Sequence, residues 1–287
     1  MPRTATAEDL RTALTRYDAE AVPGTIDALH YRCRYVAWGE GPPLVIIHGM
    51  SDVPRSFAML MANLADRHRC IAIELASGHD DGCCFRAYRH RHHVEDLHAV
   101  LERLKLDHVD LLGSSFGSTV ALRYAANRPE RVNRIVLQGG FARRPLKRFE
   151  RGLARLARYW PGVMRDVTIR SRVMADYDRP QFEMADPAIY RFFLECSGVP
   201  TIEAAARRGL MTHSLDLRPM LSRITHPLLL IGGDRDPLVP VFFQNELVRA
   251  LPNGRRIEFS PCGHYPQYTH ARAMAVVMNH FLTSGGV

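Results

Sequence analysis

Ser115, with Asp234 and Asp236 and then His264 downstream of it, has the residue types and the chain order for nucleophilic acyl chemistry. A serine hydroxyl attacks a carbonyl only when a base takes its proton, and the base works only when an acid holds it in the right tautomer. Ser115 is the centre of Gly113-Ser114-Ser115-Phe116-Gly117. The apolar run Val109–Leu112 comes before it and the helical run Ser118–Ala126 after it. Strand, G-x-S-x-G and helix form a turn that lifts the serine clear of the backbone. The turn is tight, so the residues two before and two after the serine must be small. It also leaves the hydroxyl at a helix N-terminus, where the dipole and free N–H groups favour an anion. An ordinary Gly/Ser turn is the other reading, and the flanking strand and helix weigh against it.

Two later segments offer partners. Gly232-Gly233-Asp234-Arg235-Asp236-Pro237-Leu238-Val239-Pro240 follows one apolar run, and Pro261-Cys262-Gly263-His264-Tyr265-Pro266 follows the last one. Loops at the carboxyl ends of parallel strands open on the same sheet edge, so distant segments can meet there. Attack on an ester carbonyl creates an oxyanion, which needs N–H donors waiting in place. The amide of Phe116, next to the nucleophile, is the first candidate.

The elements that would hold these residues read as alternating strands and helices. Strands are expected over 29–37, 43–47, 70–75, 109–112, 134–138, 228–231 and 256–259, several of them continuous apolar runs that suit burial on both faces. Helices are expected over 55–66, 91–104 and 271–282. This order predicts an α/β fold with a mainly parallel, doubly wound sheet. Residues 1–28 read as an N-terminal helical extension, with Leu10, Ala13, Leu14 and Tyr17 on one face. Residues 29–140 and 218–287 form the two parts of the core, and 141–217 break the alternation as an inserted helical cap. Within the cap, Leu146, Phe149, Leu153, Leu156 and Trp160 recur at helical spacing among arginines. The expectation for this basic amphipathic helix is packing on its own domain rather than membrane contact. Two more cap helices are expected, over 187–196 and about 201–211.

From about Tyr31 onward the chain resembles the α/β-hydrolase-fold enzymes with a helical cap. The likeness rests on four motifs in order: His48-Gly49, the Ser115 elbow, Gly233 to Val239-Pro240, and Gly263-His264. The resemblance implies that His264 is the base. Matching Gly233 and Val239-Pro240 to the family loop places the acid at Asp236, with Asp234 as runner-up. The position after the strand ending at Gln138, where some members carry the acid, has Gln138-Gly139-Gly140 and no carboxylate. The family pattern adds the amide of Met50 to that of Phe116 as the oxyanion hole, and assigns His48 to shaping the loop. One departure is Glu74-Leu75-Ala76-Ser77-Gly78-His79-Asp80-Asp81, where members often read D-x-x-G-x-G-x-S.

Other signals are weaker. His90, His92, His93 and His98 with Glu95 and Asp96 resemble a metal cluster, but H-E-x-x-H is absent and a solvated helix start is expected. The mechanism requires neither cofactor nor metal. The net charge of +8 comes almost wholly from scattered arginines, Lys105 and Lys147 being the only lysines. With no nucleic-acid motif beside it, that charge reads as a solvated surface, so no nucleic-acid partner is expected. A hydrophobic fraction of 46% excludes a disordered chain. No apolar run is long enough to span a bilayer and no signal segment opens the chain, so neither membrane insertion nor export is expected. The six cysteines form no C-x-x-C pair and suit reduced thiols in the cytoplasm. The predicted activity is a serine hydrolase cleaving small-molecule carboxylic esters with an apolar moiety. The alternatives are a hydrolase or acyltransferase on thioester, lactone or C–C bonds, or a small-ligand receptor on the same scaffold.

Overall fold

The apolar runs form the middle of an eight-stranded sheet in a computed structural model that describes residues 3–167 and 178–284. The strands are β1 (Val22–Asp27), β2 (Arg32–Trp38), β3 (Pro43–Ile47), β4 (Arg69–Ile73), β5 (Val109–Ser114), β6 (Val132–Gln138), β7 (Leu228–Gly233) and β8 (Gly254–Phe259). Their order is β1-β2-β4-β3-β5-β6-β7-β8. Pairing from β4 through β8 is parallel, and β2 alone is reversed, antiparallel to both of its neighbours, β1 and β4.

Successive residues of a strand point to opposite faces, so each run fills two cores. Val45 and Ile47 join Val94, Leu97 and Val120 on one face; Leu44 and Ile46 join Leu10, Leu60 and Met274 on the other. The helices that supply these cores are α1 (Ala7–Glu20), α2 (Ala58–Ala62), α3 (His90–Arg103) and α4 (Phe116–Asn127). The cap contributes α5 (Arg148–Ala157), α6 (Pro187–Cys196) and α7 (Ile202–Ser214). Last come α8 (Val241–Arg249), α9 (Pro266–Thr269) and α10 (Ala271–Thr283). The sheet is doubly covered and mainly parallel, as the alternation of elements requires.

Four expectations are corrected. Residues 1–28 are not only a helical extension: after α1, Val22–Asp27 pairs along β2 as the edge strand. The sequence hides it because its residues are mostly exposed and it carries Pro23 and Gly24, which an edge strand tolerates. The helix over 55–66 is shorter, a 3₁₀ turn at Pro54–Phe57 followed by α2, ended where the Asn63 side chain takes the Met59 carbonyl. The histidine-rich start of α3 is not solvated. His90, His92 and His93 are buried, with His90 and His93 edge-on to Phe116 and His90 Nε2 2.8 Å from Thr119 Oγ1. Finally, α5 does not bury its apolar stripe: Phe149, Leu153 and Leu156 are exposed. Of the expected cap, residues 168–177 lie outside the described residues.

Candidate active site

Register brings the candidate residues to one edge. Ser114, Gln138 and Ile231 are successive partners across β5, β6 and β7, and Gly233 pairs with Phe259 across β7 and β8. Ser115, Asp236 and His264 follow within one to five residues of these strand ends. Ser115 adopts φ 50° and ψ −114°, a left-handed conformation that a side chain enters only at a cost. The residues two before and two after it, Gly113 and Gly117, must be glycines for steric reasons. A Cβ on Gly117 would stand 2.1 Å from the Ile47 carbonyl oxygen and 2.6 Å from that of His48. The close approach seats the start of α4 against the His48–Asp52 loop.

The two aspartates separate cleanly. Asp236 Oδ2 lies 2.7 Å from His264 Nδ1, while its Oδ1 accepts from the Leu238 and Val239 amides at 2.9 and 2.8 Å. Asp234 instead accepts from the Cys262 amide and the Ser260 hydroxyl, both at 2.8 Å, and so pins the turn that carries His264. Gln138 ties nucleophile to base: its carbonyl accepts the Ser115 amide at 2.8 Å, and its side-chain amide donates to the His264 carbonyl at 3.1 Å. The next residue, Gly139, has φ +53°, and a Cβ there would meet the His264 ring at 2.6 Å. The cap also reaches the base, for Gln181 Oε1 accepts the His264 amide at 2.7 Å.

Burial by itself would drive the His264 imidazole neutral. The Asp236 carboxylate outweighs it, helped at longer range by Asp52 and Asp178, so the imidazolium is favoured and the pKa is raised above 6.5. Asp52 is a group that sequence reasoning passed over. It is buried four residues beyond His48, with Oδ1 accepting from Ser56 and Tyr268. Its Oδ2 lies 3.2 Å from the place a Gly49 Cβ would take, and Ser115 Cβ is 3.5 Å from that same place. Loss of hydration pushes the Asp52 carboxyl up to about 6, against its hydrogen bonds and His264. The signal was its spacing from His48-Gly49.

Among the described residues, no backbone carbonyl accepts the Met50 or Phe116 amide, so both remain available as donors. The loop bearing Met50 is held from two sides. His48 donates through Nδ1 to the Gly49 carbonyl at 2.7 Å and accepts the Leu75 amide at Nε2 at 2.9 Å. Burial, then the Arg208 charge, holds its pKa down at about 3, so it stays neutral. From α7, the fully buried Arg208 donates to the Met50 carbonyl at 2.5 Å and to the Leu75 and Ala76 carbonyls at 3.1 and 2.5 Å. Arg208 was also missed, because a charge in Ala206-Arg207-Arg208-Gly209 reads as solvated. Its place four residues after Ala204 and three before Met211, both buried, was the available sign. The Arg208→Met variant leaves three inward carbonyls without their donor, and thermal unfolding is expected to show a loss of about 3 kcal/mol. Its kcat should fall with KM nearly unchanged, since the Met50 amide loses its anchor.

His30, His92 and Glu95 bring one ligand atom each within 4.8 Å of one another. His92 is already committed: Nδ1 accepts the Arg89 amide at 3.0 Å, which puts the ring proton on Nε2, the nitrogen beside the Arg91 guanidinium. The donor set therefore fits a hydrogen-bonded cluster better than a cation site.

The sequence matches the family described as alpha/beta hydrolase fold over residues 42–271. It is 26% identical to the 2-hydroxymuconate semialdehyde hydrolase of Pseudomonas sp. strain CF600, over 85% of this chain and 88% of that protein. It is 28% identical to the pimeloyl-[acyl-carrier protein] methyl ester esterase of Nitrosomonas europaea, over 79% and 90%. In three dimensions it is similar to a thermophilic esterase from Thermogutta terrifontis, with a TM-score of 0.80 at 17% identity, covering 93% of this chain and 100% of that one.

Proposed function

The chain belongs to the alpha/beta hydrolase fold family, and on that premise we propose that it is a serine hydrolase whose substrates are small, uncharged carboxylic esters. The observation that carries this reading is the link through Gln138, which joins an elbow serine to a histidine held 2.7 Å from a buried aspartate. In the proposed cycle His264 takes the Ser115 proton, Ser115 attacks the acyl carbon, and the Met50 and Phe116 amides receive the oxyanion. His264 then protonates the leaving alcohol and later activates water against the acyl-enzyme. Asp52 adds negative charge beside Ser115, and Arg208 is spent on backbone carbonyls. Both favour an acyl group without a carboxylate. A C–C bond hydrolase is the second reading, which the similarity to the 2-hydroxymuconate semialdehyde hydrolase favours. The six free cysteines support placing the enzyme in the reducing cytoplasm.

The test pairs a fluorophosphonate label with a substrate panel: p-nitrophenyl esters of graded acyl length, a carboxylate-bearing ester and a vinylogous diketone. Labelling on the Ser115 peptide and highest kcat/KM on a neutral ester are expected. The base must be neutral to act, so kcat/KM should rise with pH through a midpoint above 6.5, the direction set by Asp236, Asp52 and Asp178. Faster turnover of the diketone assigns the second reading. Folded protein that neither labels nor turns over any ester overturns the proposal.

A further inference from the structure

Helix α5 packs on the cap with its polar and small side. Glu150, Arg151, Ala154 and Arg158 are half-buried. Arg151 reaches His213 Nε2 at 3.4 Å, and Glu150 pairs with Arg144 at 3.5 Å. The other side carries Phe149, Leu153 and Leu156, which are 80%, 58% and 74% exposed. Trp160, one turn on, is 66% exposed, and Tyr159 beside it 69%. Residues 149, 153 and 156 fall on one stripe by the three- and four-residue spacing of a helix surface, and Trp160 lies three residues past the end of α5. A protein that works alone in water rarely leaves four large apolar side chains together in solvent.

The charges around the stripe indicate what covers it. Arg148 and Arg155 are exposed along its flank, and Arg143 and Lys147 are exposed just before the helix. Glu150, the only acid in α5, lies on the packed side. An apolar stripe rimmed by arginines and ended by Tyr-Trp is the composition of a helix lying in the headgroup layer of an anionic bilayer. A second copy of the chain could also cover an apolar stripe. A two-fold contact there would bring Arg148 and Arg155 of both copies onto one patch, and like charges oppose it.

We propose that α5 docks the cap onto the surface of an anionic lipid bilayer. Phe149, Leu153, Leu156 and Trp160 enter among the upper acyl chains, and the arginines meet the headgroups. The contact is peripheral: among the described residues no helix is long and apolar enough to cross a membrane. It stands apart from the acyl-bond assignment, because none of these side chains belongs to the proposed catalytic set.

The chain has two tryptophans, and Trp38 is 3% exposed, so Trp160 is the reporter that a membrane would change. The experiment titrates the whole protein with vesicles of phosphatidylcholine alone and with vesicles in which about a third of the lipid is phosphatidylglycerol. A blue shift of emission and co-sedimentation are expected with the anionic vesicles only, both weakening as salt is raised. Trp160→Phe should lose the shift and keep sedimenting. The double variant Leu153→Asp, Leu156→Asp should lower partitioning by about tenfold or more while its far-UV spectrum and melting curve stay those of the parent. Absence of both shift and sedimentation overturns the proposal. Equal binding to the two vesicle types overturns the choice of an anionic surface. A dimer that light scattering detects in the parent and that the double variant abolishes gives the face to a second copy and also overturns it.

Discussion

The Ser115→Ala variant is expected to lose ester turnover by about 10⁵- to 10⁶-fold in kcat while remaining folded. The change removes one atom from a residue whose backbone is already fixed by its neighbours. The Ser115 amide bonds the Gln138 carbonyl, and the glycine at 117 seats the following helix against the His48 loop. Neither contact needs the hydroxyl, so the loss should fall on chemistry alone. Stopped-flow measurement should show the acylation burst gone, with ligand binding retained. The strained φ of 50° supplies an independent check. Ser115→Gly removes the Cβ that makes this conformation costly and should be more stable than Ser115→Ala by about 1 kcal/mol, with activity just as low. Turnover surviving in either variant would remove Ser115 from the mechanism.

Asp236→Asn is expected to cost about 10⁴-fold in kcat, the scale set by the equivalent change in a serine protease. The geometry explains why an isosteric change does so much. Asp236 Oδ1 accepts two backbone amides, from Leu238 and Val239. An asparagine must therefore keep its carbonyl oxygen on that side and turn its NH₂ toward His264 Nδ1. The imidazole then has to accept at Nδ1 and carry its proton on Nε2, the tautomer that cannot take a proton from serine. The variant should also lose the carboxylate that raises the His264 pKa, so the acid limb of its residual activity moves to lower pH. Asp234→Asn is the control. It meets the Cys262 amide through Oδ1 and the Ser260 hydroxyl through Oδ2 rather than the base; an asparagine oxygen can keep the Cys262 amide while its NH₂ donates to the Ser260 hydroxyl oxygen, so activity should stay within about tenfold of the parent. If instead Asp234→Asn were the damaging change, the assignment of the acid would be reversed.

Much of the fold was legible because burial leaves a periodic mark on sequence. Strands β3 to β7 are near-continuous apolar runs, since both faces are covered, and α6 was expected over the residues it occupies, Pro187–Cys196. Edge strand β1 left no such mark, because most of its side chains face water. Helix α8, with only Gln244 and Leu247 buried, was invisible for the same reason.

Chain order and motif spacing were enough to nominate Ser115 and His264, and the family-loop match to prefer Asp236 over Asp234, because a tight turn at a strand end demands particular small residues locally. Everything that depends on long-range approach was decided by the tertiary structure. Sequence separation carries no information about which arginine of Arg207-Arg208 turns inward, or that Asp52 stands beside Gly49. Nor could periodicity tell which side of α5 faces water. A hydrophobic stripe shows that a helix has two unlike sides, and the rest of the fold chooses which one to bury. Here it took the side with Ala154 and Arg151 and left Phe149, Leu153 and Leu156 outside.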